Sequence, residues 1–202
     1  MNIELSSMST PSVCKLPAWI TAASTLDAIR LIELGARAGM VCQLTGIDKT
    51  NANRLYRQIH QHPSPPGQAP FTDSWYLKSD YRMLHASLAW RLFQRYEQPG
   101  NRLARMMIEV YECYVFLVQA PLLDITHLAF VPQLMQMRIW KECVCQSCHT
   151  RYVSPQDSNG TICPGCRLYR KFRCSACGAF MGGYRKGRRK SSCSTCGEIQ
   201  FQ

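Results

Sequence analysis

The sequence predicts a mainly α-helical body, with a helix-turn-helix-like unit inside it, followed by small cysteine-rich units at the C-terminal end. Three observations carry this prediction. Apolar residues recur at helical spacing between residues 24 and 142, and no sustained strand alternation appears before residue 143. Eight of the twelve cysteines fall in CxxC pairs, at Cys145/Cys148, Cys163/Cys166, Cys174/Cys177 and Cys193/Cys196. At 202 residues and 46% hydrophobic, the chain can bury one sizeable core and still carry a smaller module.

Residues 1–23 are small, polar and interrupted by proline, and read as a loosely held arm. Residues 24–142 form the predicted body. Ser24-Thr25-Leu26-Asp27 has capping-box spacing, and Leu26, Ile29, Ile32 and Ala36 follow on one helical stripe. Residues 40–59, "MVCQLTGIDKTNANRLYRQI", have helix-turn-helix spacing: small Cys42, Gly46 at the turn, apolar Ile47, then small Ala52 and Leu55. The second helix would offer Lys49, Thr50, Asn51, Asn53, Arg54 and Arg57 outward, all able to bond bases or phosphates. The same residues also suit the solvated face of an ordinary helical hairpin.

"HQHPSPPGQAPF" is a Pro/Gly connector that no helix crosses. Three more helical segments follow. Residues 79–95 align Tyr81, Leu84, Leu88 and Leu92, residues 102–118 align Leu103, Met107, Val110, Tyr114 and Leu117, and residues 122–141 are apolar with a break or kink expected at Pro132. These stripes read as core.

The tail repeats itself. Cys145-x2-Cys148, 14 residues and Cys163-x2-Cys166 are followed by Cys174-x2-Cys177, 15 residues and Cys193-x2-Cys196, dividing it into units at 143–170 and 171–202. Each half has the four-thiolate spacing of a zinc ribbon, in which a CxxC turn aims two sulfurs together and a hairpin returns the chain for the second pair. Gly165, Gly178 and Gly197 stand where such tight turns call for a positive φ or close backbone approach. Two sequential Zn2+ sites lead the reading; interleaved ligation, an iron–sulfur cluster and disulfides remain as alternatives. Four protein ligands leave no open position, so the metal is expected to be structural. Cys143 and His149 are the nearest substitute ligands, while Cys14, Cys42 and Cys113 stand isolated.

Charge is uneven. Residues 1–142 hold 14 basic and 11 acidic side chains, net +3, whereas residues 143–202 hold 10 basic ones against Asp157 and Glu198, net +8. Arg185, Lys186, Arg188, Arg189 and Lys190 crowd one loop of the second unit. Two four-thiolate zinc sites at roughly −2 each would lower the formal +11 to roughly +7, and nearby cations relieve that local charge. Five basic residues exceed what such relief needs, so the loop either tracks a phosphate backbone or forms a solvated tip. The excess favours nucleic acid over membrane, since no lipidation motif or basic amphipathic helix is present.

No signal-like stretch or membrane-length apolar run occurs, which predicts a cytoplasmic chain. The motifs HExxH, GxSxG and the P-loop are also missing, and His60, His62, His85 and His127 stand singly. No enzyme is predicted.

"LIELGAR" (31–37), "LYRQI" (55–59), "SPPGQAPFTDSW" (64–75), "LHASLA" (84–89) and "PLLDITHLAF" (121–130), in this order before the first two CxxC pairs, resemble the FlhC family. That family supplies the C subunit of the bacterial flagellar master regulator, and related activators switch on conjugative transfer operons. The resemblance implies a zinc-containing activator that binds double-stranded DNA with a FlhD-like D subunit, as a D4C2 hetero-hexamer, and recruits RNA polymerase. It also implies that Cys145, Cys148, Cys163 and Cys166 ligate zinc. The second four-cysteine unit departs from the family pattern. The alternative function is a zinc-ribbon protein contacting RNA polymerase or RNA, with DNA contact left to the partner.

Overall fold

The computed structural model describes residues 18–66, 72–181 and 192–199. Most of the predicted arm, part of the Pro/Gly connector and the five basic residues of the 185–190 loop lie outside the described residues.

The body is helical. In chain order it contains α1 (Ala18–Glu33), α2 (Ala38–Thr45), α3 (Lys49–His60), α4 (Ser74–Leu77), α5 (Asp80–Tyr96), α6 (Leu103–Leu117) and α7 (Ile125–Gln136). A two-stranded antiparallel sheet follows, β1 (Trp140–Val144) pairing with β2 (Arg151–Pro155) from Trp140↔Pro155 to Val144↔Arg151. Then come α8 (Pro164–Lys171) and α9 (Ser194–Ile199). Among the described residues, no helix is long and apolar enough to cross a membrane.

Local chemistry sets several helix ends. Asp48, Ser79 and Asp124 cap α3, α5 and α7, each accepting the backbone N–H three residues on. Gly46 ends α2 in the left-handed region at φ 73°, where its N–H reaches the Cys42 carbonyl at 3.0 Å.

Two apolar clusters share α6. Ala104 and Ile108 face the cluster of α1, α2 and α3, built on Ala28, Leu31, Ile32, Val41, Ala52 and Tyr56. Met107, Val110 and Tyr114 face the other cluster, which takes in Met83, Leu92 and Phe93 of α5, Leu128 and Val131 of α7, and Trp140 and Val153 of the hairpin. A helix packed on two sides buries more than one stripe.

The structure corrects several expectations. α1 begins at Ala18, upstream of the capping-box pattern, because "AWITAA" already propagates as helix. Ser24 therefore caps nothing, and buried Asp27 instead pairs with Arg102 Nη2 at 3.1 Å. Leu26 is 68% exposed, while Ala28 and Leu31 take the core face with Ile32. On α5, Tyr81 and Leu84 are exposed and Met83, Ala86, Ser87, Ala89 and Phe93 are buried together with Leu92. Small residues carry that face because they let α7 and β2 approach closely. Buried Ser87 shows the closeness: its Oγ donates to the Met83 carbonyl at 2.8 Å and accepts the Val153 N–H at 3.2 Å.

On α6 the middle of the predicted stripe is buried, but Leu103 and Leu117 at its ends are exposed. The 122–141 segment splits into α7, which continues past Pro132 to Gln136, and the start of β1. Arg138 makes the transition at φ 57°.

Candidate metal centres and nucleic-acid interface

The first cysteine set is assembled from two elements. The turn between β1 and β2 carries Cys145 and Cys148, closed by Cys145 N–H to the Thr150 carbonyl (3.0 Å) and His149 N–H to the Cys145 carbonyl (2.9 Å). His149 takes the left-handed position of this turn at φ 57°, so the predicted substitute ligand serves the backbone instead. Cys163 is the N-cap of α8, accepting the Cys166 N–H at 3.3 Å, with Pro164 preset for the first turn. Gly165, expected at a positive φ or a close backbone approach, is a helical residue without a positive φ there, and a Cβ on it would meet only side-chain atoms at ordinary contact distance.

These four sulfurs all lie within 4.8 Å of one another, with Cys148 Sγ 3.7 Å from Cys163 Sγ. A tetrahedral ion with metal–sulfur bonds near 2.3 Å needs sulfurs about 3.8 Å apart. The set therefore fits one mononuclear ion. Cys143 lies outside it, paired with Tyr152 in the hairpin.

Backbone N–H groups of Cys163 (3.2 Å) and Ser147 (3.4 Å) point at Cys145 Sγ. These bonds, that from Cys163 foremost, bring the Cys145 thiol down to about 6, while burial pushes Cys163 up to about 12. One sulfur is thus held as thiolate beside another that resists ionising. Only a cation lets all four carry negative charge at once.

The second set repeats the device at Cys174, Cys177, Cys193 and Cys196, whose sulfurs also lie within 4.8 Å of one another. Cys177 Sγ is 3.6 Å from Cys193 Sγ. Gly178 occupies the left-handed position matching His149, at φ 72°, and its N–H reaches the Cys174 carbonyl at 3.0 Å. Backbone N–H groups, that of Cys177 foremost and then that of Cys193, bring Cys174 down to about 6. Hydrogen bonds with the Cys177 and Cys193 side chains push Cys196 up to about 12. Both sets are sequential, not interleaved, and the described cysteines are free of disulfides. Gly197 lies within α9.

On the helical body, α3 presents the other predicted site. Lys49, Thr50, Arg54 and Arg57 are exposed. Asn51 and Asn53 are committed elsewhere: the Asn51 amide donates to the Asp48 carboxylate and Asn53 Nδ2 donates to the Lys49 carbonyl at 2.8 Å. Short polar side chains in the first two turns of a helix can satisfy the helix's own backbone and cap. Thr50, Asn53, Arg54 and Arg57 line an open groove together with Gln58, Gln61, Pro63 and Ser64. Gln58 escaped the sequence reading, although its spacing from Arg54 places it on the same helical face. Gln61 is the left-handed C-cap of α3, its Nε2 donating to the Gln58 carbonyl at 2.8 Å.

Residues 18–179 match the family model of the flagellar transcriptional activator FlhC. The flagellar transcriptional regulator FlhC of Erwinia tasmaniensis is 24% identical over 157 residues, covering 72% of this chain and 88% of the relative. Its counterpart in Variovorax paradoxus is 25% identical over 147 residues, covering 69% and 72%. That of Proteus mirabilis is 22% identical over 148 residues, covering 69% and 76%. The family match contains the whole first cysteine set and stops between Cys177 and Cys193 of the second. By the extent of this match, the chain belongs to the FlhC family of flagellar transcriptional activators.

Proposed function

We propose that the chain is the DNA-contacting subunit of a hetero-oligomeric activator, in which α2 and α3 act as a helix-turn-helix and the first cysteine set holds a structural Zn2+. The observation that supports this most is the groove face of α3. Arg54 and Arg57 stand exposed there beside Gln58, and α3 contains no acidic residue. Arginine and glutamine at successive turns of one helix suit base edges and phosphates of a major groove. Asp48, the N-cap of α3, is occupied by its capping bonds to Asn51.

Membership in the FlhC family supports a FlhD-like partner, a D4C2 assembly and recruitment of RNA polymerase at flagellar promoters. Zinc fits the first set because four thiolates in a tetrahedron leave no vacant position, and its role is to fix α8 against the β1–β2 turn.

Footprinting on flagellar promoter duplexes, with and without the D subunit, tests the reading. Arg54→Ala is expected to weaken specific binding by about 1–3 kcal/mol and to relax base preference at its contact position. Replacing Arg188 and Arg189 should weaken specific and scrambled duplexes alike and make the slope of log K against log salt shallower by about 2. An Arg54→Ala protein with unchanged affinity and preference would remove α3 from the interface.

A further inference from the structure

The C-terminal unit differs from the body in what holds it together. Among the side chains described after Phe172, only Cys174 is buried, and Phe180 is 68% exposed. Among the described residues, α9 has no substantial packing against another helix or strand. Order around Cys174 comes from local bonds: Cys174 N–H to the Ala179 carbonyl (2.9 Å), Met181 N–H to the Phe172 carbonyl (2.9 Å) and Arg173 Nη1 to the Gly178 carbonyl (2.9 Å). Among the described residues, sulfur joins this part to the second cysteine pair, across the 3.6 Å gap between Cys177 and Cys193.

Described residues that bury this little have little from burial to offset the entropy of ordering their backbone. Four convergent thiols without a cation make the matter worse, because their ionised forms repel. The first set is built otherwise. Buried Cys145 and Cys163 pack with Tyr152 and Ile162, and Leu168 buries α8 against the body.

We propose that Cys174, Cys177, Cys193 and Cys196 form a second, independent site for zinc or another thiophilic divalent cation, and that its occupancy decides whether the C-terminal unit is folded while the helical body stays intact. The sulfur spacing fits one tetrahedral ion as in the first set. Cys148 and Cys177 are exposed alike, but Cys193 is only half-buried where its counterpart Cys163 is buried and packed with Tyr152 and Ile162, which makes the second ion the more exchangeable of the two.

Native mass spectrometry of the full chain, or of its complex, should count two ions. On challenge with a strong zinc chelator, one ion should leave faster than the other by about tenfold or more. Hydrogen exchange after this first release should show lost protection at the Cys174, Gly178 and Met181 amides and unchanged protection at Val131, and added Zn2+ or Cd2+ should restore it. Cys196→Ser and Cys193→Ser should each bind one ion and lack the fast phase. One ion in the wild-type chain, two ions leaving in a single phase, or a C-terminal unit protected without metal would each overturn the proposal.

Discussion

Arg167 of α8 holds Asp80, the first residue of α5, with Nε at 2.8 Å and Nη2 at 2.7 Å from the same carboxylate oxygen, while its Nη1 bonds the Ile162 carbonyl at 2.8 Å. One guanidinium therefore joins the first cysteine unit to the helical body. Leu84 reinforces the joint, its Cδ1 lying 3.5 Å from where a Cβ on Gly165 would stand. Because the pair is partly exposed, solvent screens it, and Arg167→Ala is expected to cost about 0.5–1 kcal/mol in denaturant unfolding. The same variant should speed metal loss from the first set under chelator challenge. An unchanged release rate would show that α8 is positioned by apolar packing instead.

Tyr114 closes the corner between α6 and α7. Its buried hydroxyl accepts the N–H groups of Leu122 (2.9 Å) and Leu123 (3.0 Å) and meets His85 Nδ1 at 2.6 Å. Tyr114→Phe preserves the ring and strands a buried N–H, for an expected loss of about 1–3 kcal/mol in chemical denaturation. A loss below that range would mean that the turn relaxes to find water.

His85 makes stability depend on pH. Burial holds its imidazole below the usual value of 6.5, so the folded chain keeps it neutral where the unfolded chain protonates. Above the usual value both states are neutral and the residue contributes no slope. As pH falls through that value towards the lower folded one, the unfolded state binds the extra proton and stability drops. Unfolding midpoints of wild type and His85→Gln between about pH 7.5 and pH 5.5 should diverge in this sense, the wild type falling more steeply. Parallel profiles would contradict the assignment.

Gly46 stands at φ 73° with open space where a Cβ would point. A substitution there meets backbone strain without a clash. Gly46→Ala is expected to destabilise the body by about 1–2 kcal/mol, and Gly46→Asn by less, because asparagine enters the left-handed region more readily. Thermal unfolding of the two variants orders them, and equal losses would point to a packing cause.

The sequence by itself determined what depends on near neighbours along the chain. CxxC spacing dictated two four-sulfur sets, Gly46 dictated the turn between α2 and α3, and the polar stretch from Lys49 to Arg57 dictated an exposed face, since each rests on a few consecutive residues. Tertiary structure decided which of several possible partners each group meets. It grouped the cysteines sequentially, because the β1–β2 turn and α8 converge on one point and the second set closes on another. It put Ala86, Ser87 and Ala89 on the core face of α5 where larger Tyr81 and Leu84 seemed the better stripe, because close approach of α7 and β2 rewards small side chains. It spent Asn51, Asn53 and Gln61 on their own helix and its cap, and placed Gln58 beside Arg54 and Arg57. Periodicity says that a helix has faces; only the neighbours packed against it decide which face is buried and which is left to solvent.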